Sequence, residues 1–408
     1  MSTDISLHIK HIKNIKSFDY TFKLENGIYA LVGGNATGKS TLMAILASTA
    51  RPTPLERYTN KELSIGSELS ITTSDSSSPD TSHTVTYTYR STALKLAPGT
   101  SQKSRSLYGF YEGSIFSGYR FQKMNDIEQL LQDDAFIRTL SKSDPSITKA
   151  LGRILHDDEN YYAGLYKVRD MDTVEKYKLP DMPYFLKTDN GDYISSINMS
   201  AGESMLISIL HFFFQLTNNR RSSRKSSYKT QRPFQRYLIC IDEVELALHP
   251  ISIDRLYTYI DTFIRTTELD ISVIFSTHSS ELIRRLSPRN MFYVENYTGN
   301  LSIINPCFPQ YAIKTLNSHE GYDCYILVED EIARRIVITA LEDYIRNNNI
   351  LIQVIPVGGW SNVLDFQKTI IDGNSLGAGK FVFSILDGDV KNDVNSYKDK
   401  SKKILTKT

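Results

Sequence analysis

Three groups of residues in this chain have the types and spacing to do chemistry. Gly33, Asn35, Gly38, Lys39, Ser40 and Thr41 lie in GGNATGKST, the pattern Gly-x4-Gly-Lys-Ser. Glycines let backbone amides wrap a phosphate, and the helix that follows adds positive potential at its N-terminus. Lys39 is expected to reach the β and γ phosphates of a nucleotide, with Ser40 on Mg2+ and Asn35 and Thr41 counted in the cradle. The second group is in YLICIDEVELALHP, where an apolar run ends in Asp242 and Glu243. Ligands meet α/β sheets at such strand ends. Asp242 would hold Mg2+ through water, and Glu243 would orient and deprotonate an attacking water. The third group is Glu329, ending the apolar run of CYILVEDE, with Asp387 and Asp389 in FVFSILDGDV. Three carboxylates at two strand ends could gather one or two divalent ions. Taken alone, acids at a strand end are more often a solvated rim.

Two shorter patterns add to the first pair. INMSAGES places Ser200, Gly202 and Glu203 at the opening of a helix, and VIFSTHSSEL places His278 just past a strand. Each is weak alone. In this order the four elements resemble ABC-type ATPases of the SMC, Rad50 and OLD group. That resemblance implies ATP as ligand and His278 as the switch histidine. It also implies a homodimer or higher homo-oligomer of heads meeting head to tail, with Ser200 of one closing on the γ-phosphate held by Lys39 of the other. Membrane transporters share these motifs, but here Ser200 follows Lys39 by about 160 residues, across a large insertion. Gln122, in YRFQK, is a candidate for the glutamine that the class places between the two.

Strand ending in Glu329, helix, strand, helix, strand ending in Asp387-Gly-Asp389 resembles the Toprim fold of topoisomerases, primases and OLD-family nucleases. Behind an ABC-type ATPase, this is the OLD-family arrangement. It implies cleavage of DNA or RNA at Glu329, Asp387 and Asp389 with Mg2+, or Mn2+ as an alternative ion, in antiphage defence. Some relatives are effectors of retrons, with a reverse transcriptase and its DNA–RNA product as partners. A rival reading is an ATP-dependent sensor or scaffold whose Toprim domain does not cut and which serves a separate effector. A Rad50- or RecF-type repair clamp is disfavoured by the lack of a long heptad arm.

The elements that must position these residues can be traced in the 408-residue chain. ISLHI, FDYTF and GIYALV alternate as strands, the last entering the glycine loop; Leu42, Ile45 and Leu46 then mark the buried face of a helix. Ser/Thr-rich residues 74–106 enclose an alternating HTVTYTYRS and read as an inserted hairpin. Residues of about 107–195 read as a helical insertion. MLISILHFFFQL is apolar on nearly all sides and should be buried. After it, 218–236 is basic and free of acids, with Tyr228 and Phe234 able to stack on bases; it reads as a surface loop or a nucleic-acid contact. The fold class expected is α/β: an ABC/SMC-like P-loop ATPase over 1–305 with an inserted helical arm, a linker over 306–322, and a short Toprim-like domain over 323–408.

Composition narrows the setting. Apolar residues at 40% and charged residues at 23% suffice for a large core. A net charge of +1 excludes a globally basic nucleic-acid coat. The longest apolar run, Met205 to Leu216, is well short of the roughly 20 residues of a membrane span. The N-terminus lacks the apolar core of a secretory signal, and the three cysteines have no zinc-type spacing. A reducing cytoplasm and no membrane partner are expected.

Overall fold

The computed structural model describes residues 2–50, 63–75, 78–90, 93–97, 107–113, 127–179, 183–225, 236–317, 322–348, 350–373, 375–376 and 380–390. Gln122 and most of the basic segment, 226–235, lie outside them. Contacts divide the chain into two compact units, Met1–Leu282 with Val294–Ser302, and Ile283–Tyr293 with Ile303–Thr408. The second unit thus takes in 283–293, from the span expected in the first domain.

Alternation drives the start of the chain. In β1 (Thr3–Ile12), Ile5, Leu7 and Ile9 are buried and their neighbours are not; in β2 (Ile15–Leu24), Phe18, Phe22 and Leu24 are buried. This is the period of strands with one face on a core. The pair is antiparallel. β3 (Gly27–Val32) is buried on both faces and leads through the glycine loop into α1 (Lys39–Ala50), itself almost wholly buried. β4 (Leu63–Asp75) then returns to pair with β1, and β5 (Ser78–Arg90) and β6 (Ala93–Leu96) extend the sheet as antiparallel neighbours. The inserted hairpin therefore begins earlier than expected, at Leu63. Its hydroxyls satisfy one another across the strands, Ser70 with Thr86 at 3.2 Å and Thr72 with Thr84 at 2.8 Å.

The expected helical arm is corrected in two ways. β7 (Leu107–Glu112) is no part of it, since it lies parallel to a core strand, Tyr108 opposite Tyr237. The remainder is mixed: α2 (Ile127–Leu130), α3 (Asp134–Ile137), β8 (Leu140–Lys142), α4 (Pro145–His156), β9 (Leu165–Val168), α5 (Met171–Lys176), β10 (Tyr184–Lys187) and β11 (Tyr193–Ser195). Its strands form an antiparallel sheet in the order β11-β10-β9-β8 around Phe136, Val168 and Phe185. Strands of three or four residues are too short to display a period of two, whereas the capped, amphipathic α4 dominates the pattern.

The chain then returns to the core with α6 (Ala201–Lys225), β12 (Arg236–Asp242), α7 (Pro250–Thr266), β13 (Ile271–Ser276), α8 (Ser280–Arg285), β14 (Met291–Tyr297) and β15 (Asn300–Ile304). The backbone of 218–225, the start of the basic segment, continues α6. The completed sheet has 11 strands in the order β6-β5-β4-β1-β2-β15-β14-β3-β13-β12-β7. Its β3, β13, β12 and β7 are parallel neighbours. The glycine loop and Asp242 both leave this parallel part at C-terminal strand ends, as ligand-binding groups of α/β sheets do.

In the second unit, α9 (Pro309–Asn317), β16 (Cys324–Val328), α10 (Glu331–Asn348), β17 (Ile352–Pro356), α11 (Trp360–Asp372) and β18 (Phe381–Ser384) follow in turn. The strands are parallel, in the order β17-β16-β18. The segment read as a linker holds α9, with Cys307, Ala312 and Ile313 buried. Its proline stands first in the helix, where the missing N–H has no partner to lose. Among the described residues no helix is long and apolar enough to cross a membrane.

The place of β7 inside the core can be tested at Gly109. A Cβ there would lie 2.1 Å from the Leu238 carbonyl oxygen and 2.6 Å from the Ala50 Cβ, neither able to move away cheaply. Gly109→Ala should therefore lose about 2–3 kcal/mol of stability, read as a lowered denaturation midpoint at unchanged slope.

Candidate functional site

The glycine loop is shaped by two positions that admit no side chain. A Cβ at Gly33 would come within 2.4 Å of the Val294 carbonyl oxygen, and Gly38 holds φ +101°. Between them Ala36 also has positive φ, and its carbonyl accepts from Asn14 Nδ2 at 2.6 Å. Thr37 Oγ1 donates to the Gly34 carbonyl at 2.9 Å. Lys39 is only 5% exposed. Its Nζ folds back to donate to the carbonyls of Gly33 at 2.9 Å and Gly34 at 2.7 Å. Burial pulls its pKa below the usual lysine range, against the charges of Asp242, Glu243 and Glu245. Phosphate oxygens would give this ammonium charged acceptors in place of neutral carbonyls.

Asp242 ends β12 and is 1% exposed. Its Oδ2 accepts from the Tyr111 hydroxyl at 3.3 Å, while Oδ1 makes no hydrogen bond. Gly113 passes so close that a Cβ there would be 2.7 Å from the Asp242 Cβ. Burial raises the carboxyl above the usual aspartate range, and Glu243 adds to this; the hydroxyl dipoles of Ser276, Ser40 and Tyr111 offset part of it. A buried carboxylate oxygen without a donor, near the Ser40 hydroxyl, is the environment a divalent cation completes. Ser40 and Asp242 thus fit Mg2+.

Glu243 follows with φ 55°, left-handed backbone that costs a non-glycine residue about 1–2 kcal/mol. The sharp turn takes its side chain out of the strand's alternation, and its amide donates to the Ser276 carbonyl at 3.0 Å. Beyond β13, Thr277 N–H donates to the Leu31 carbonyl at 3.2 Å, which ties the turn before His278 to β3. Glu245 clasps that turn: Oε2 accepts from Thr277 Oγ1 at 2.9 Å and Oε1 from the His278 amide. Burial and then Lys39 hold His278 below the usual histidine range, against Glu245 and Glu243, so the imidazole is neutral at neutral pH. Glu245 had no signal of its own in the sequence beyond standing three residues after Asp242.

Ser200 is the N-cap of α6. Its amide donates to Glu203 Oε2 at 2.8 Å, and the Glu203 amide donates to Ser200 Oγ at 3.2 Å, a capping box. Gly202 lets the helix start meet the chain just beyond Asp242, since a Cβ would lie 2.5 Å from the Ala247 carbonyl oxygen. A cavity of about 500 Å3 opens beside Asn35–Thr37, lined also by Lys13, Asn14, Lys16 and Asn296. The basic repeat HIKHIKNIK was the available signal for its lysines.

In the second unit Glu329 and Asp387 do come together, with the Asp387 amide donating to Glu329 Oε1 at 2.9 Å. Asp387 is exposed, as is Asp389 on the 3-10 turn Gly388–Val390. Among the described residues no three histidine, cysteine or acidic side chains form a metal-holding group. Asp389 therefore does not join Glu329 and Asp387 in such a group.

Residues 184–284, which contain Ser200, Asp242, Glu243 and His278, match the family model described as "AAA domain, putative AbiEii toxin, Type IV TA system". No curated protein sequence matches the chain. Among solved structures, the Smc head domain with a coiled coil and joint from Pyrococcus yayanosii is similar at TM-score 0.44 and 11% identity, over 78% of this chain and 99% of that one. The Smc head domain bound to the C-terminal domain of ScpA, from Pyrococcus furiosus, gives 0.42 and 13%, over 74% and 96%. The recombination mediator protein RecF with ATP gives 0.38 and 12%, over 74% and 98%.

The geometry of the loop makes Lys39 its only ammonium seated on the loop's own carbonyls. Lys39→Ala should weaken ATP binding by about a hundredfold or more, read in a direct binding titration. Unchanged affinity would remove the phosphate-cradle assignment.

Proposed function

We propose that this chain is an ABC-type ATPase that binds and hydrolyses ATP with Mg2+, and that a second copy completes the hydrolytic site. The observation that carries this reading is the buried Asp242 with its unmatched Oδ1, beside a complete glycine loop with a buried lysine. Lys39 would leave the Gly33 and Gly34 carbonyls for the β and γ phosphates. Ser40 and Asp242 would hold Mg2+, which when bound neutralises charge on the transferred phosphoryl group. Glu243, turned out of the strand by its left-handed backbone, would orient the attacking water and accept its proton. A neutral His278 would donate to the γ-phosphate. Ser200 of a second copy, at the N-terminus of α6, would present that helix's positive end to the same phosphate.

Glu243→Gln tests this directly. It should bind ATP with wild-type affinity and lower kcat by about 100-fold or more, because the base is lost while the metal ligands remain. Sedimentation should show an ATP-dependent dimer that outlives that of the wild type. Wild-type turnover in this variant would mean that Glu243 is not the base.

The second unit supports a finer reading, cleavage of nucleic acid in the OLD-family manner, with a place in antiphage defence. Its support is the parallel order β17-β16-β18 and the meeting of Glu329 with Asp387. The rival, a non-cleaving scaffold, is separated by Asp387→Ala with Asp389→Ala. Both acids are exposed, and alanine keeps the amide that Glu329 accepts, so fold and ATP turnover should persist. Under the cleaving reading, cutting of plasmid or single-stranded DNA, and any phage protection, disappear. Retained protection at wild-type protein levels would overturn it.

A further inference from the structure

The capping box at Ser200 is not self-contained. Glu203 has two carboxylate oxygens, and only Oε2 receives the Ser200 amide. Oε1 accepts from the Tyr162 hydroxyl at 2.7 Å, a residue 41 positions earlier in the insertion. Tyr162 is 0% exposed, the largest fully buried side chain of the described residues, yet its hydroxyl is aimed at the start of the signature helix. That oxygen in turn lies 3.1 Å from His156 Nε2, and the His156 ring stacks on Tyr161 with centroids 3.6 Å apart and planes 13° from parallel. Since the tyrosine proton goes to Glu203, the network assigns the histidine proton to Nε2, donating to the tyrosine oxygen.

The backbone is shaped to deliver this tyrosine. A Cβ at Gly152 would lie 2.1 Å from the Asp158 carbonyl oxygen, so the chain leaving α4 can double back across the helix only at that glycine. Asp157 turns it there with φ 61°, and the Asp157 carboxylate pairs with Arg255 of α7 at 3.1 Å. α4 itself packs against α6 and α7. Burial outweighs other effects in keeping the Tyr162 hydroxyl protonated across the working range, so it is a permanent donor. Burial alone would raise Glu203; the donors from Tyr162 and Ser200 more than cancel it, and the carboxyl lies below the usual glutamate range. The acceptor therefore stays ionised wherever the protein is near neutral pH.

We propose that Tyr162 is a positioning residue for the signature turn: by occupying Glu203 Oε1 it reserves Oε2 for the Ser200 amide, and the insertion thereby sets how Ser200 is presented. The inference rests on the assignment of Ser200 to the nucleotide of a second copy. Without the tyrosine hydroxyl, Glu203 is free to rotate, and water can take either oxygen. The Ser200 amide then loses its fixed acceptor, and the capping box keeps only its bond from the Glu203 amide to Ser200 Oγ. None of these groups belongs to the glycine loop that would hold ATP on the same head. The expected defect is thus confined to turnover and to closure of two heads.

The test uses the full chain with Tyr162→Phe, which removes one oxygen from a buried site. Expected are an unchanged KM for ATP, a kcat lower by about tenfold, and a weaker ATP-dependent dimer in the Glu243→Gln background. Glu203→Gln should give the same split, and the double variant no further loss, because both act through one bond. A tyrosine that merely fills space predicts the opposite: a lowered melting temperature with unchanged kcat in the folded protein, and that result overturns the proposal. Should Tyr162→Phe fail to fold, Glu203→Gln carries the same KM-against-kcat comparison. Ser200→Ala separates this inference from its premise. If Ser200→Ala slows turnover and neither Tyr162→Phe nor Glu203→Gln does, the positioning role is wrong and the Ser200 assignment stands. If Ser200→Ala turns over like wild type, the assignment falls and takes the positioning role with it.

Discussion

A carboxylate buried at the end of a central strand has to be met by positive charge and donors, and much of the first unit can be read as the arrangement that meets it. Asp242 is enclosed by β7 on one side and β13 on the other, in a sheet where both neighbours run parallel to its own strand. Desolvation of such a group costs several kcal/mol unless it is paired. Tyr111 supplies one donor, Ser40 and Ser276 supply dipoles, and the Lys39 ammonium lies in the same electrostatic neighbourhood. One oxygen is still left over. The sheet thus holds a charge that the proposed Mg2+ of a bound nucleotide would complete.

Around that charge the strain is local and directed. Gly38 and the left-handed Ala36 and Glu243 place unusual backbone in the glycine loop and in the turn directly after Asp242. Backbone of this kind persists only where surrounding packing fixes it, and it clusters at sites where a group must be re-aimed. Here it turns the chain sharply at Glu243, directly after Asp242. Glu245 then links the same turn to His278, so that three of the groups assigned to ATP chemistry are mechanically joined. The insertion reaches the start of α6 by a separate route, through Tyr162 and Glu203. The two routes meet where Gly202 packs on Ala247.

How much of this was legible in the sequence depended on the range of the interaction. Gly33 to Thr41 and Asp242 with Glu243 are local motifs with apolar strands before them, and their place in the fold followed from pattern alone. The strand and helix order of the second unit was equally readable, because each strand is a short, mostly apolar run. β7 was not readable, since its place in the core depends on a pairing with β12 more than 120 residues away. The short strands of the insertion were hidden by the amphipathic α4. Glu245 and Tyr162 act through contacts that no local spacing encodes. The segment 306–322 misled because its prolines read as breaks, although Pro309 begins a helix. Glu329 directly follows β16, but β18 ends at Ser384, so Asp387 and Asp389 lie beyond the strand end at which the apolar run placed them.

The central claim is that the buried Asp242 awaits a metal-bound nucleotide held by the glycine loop. Isothermal titration of ATP into the wild-type chain, once with Mg2+ and once with EDTA, tests it most directly. The account predicts one saturable site per chain, bound more tightly with Mg2+ than with EDTA. No saturable heat in either buffer, or identical affinity in both, would contradict it.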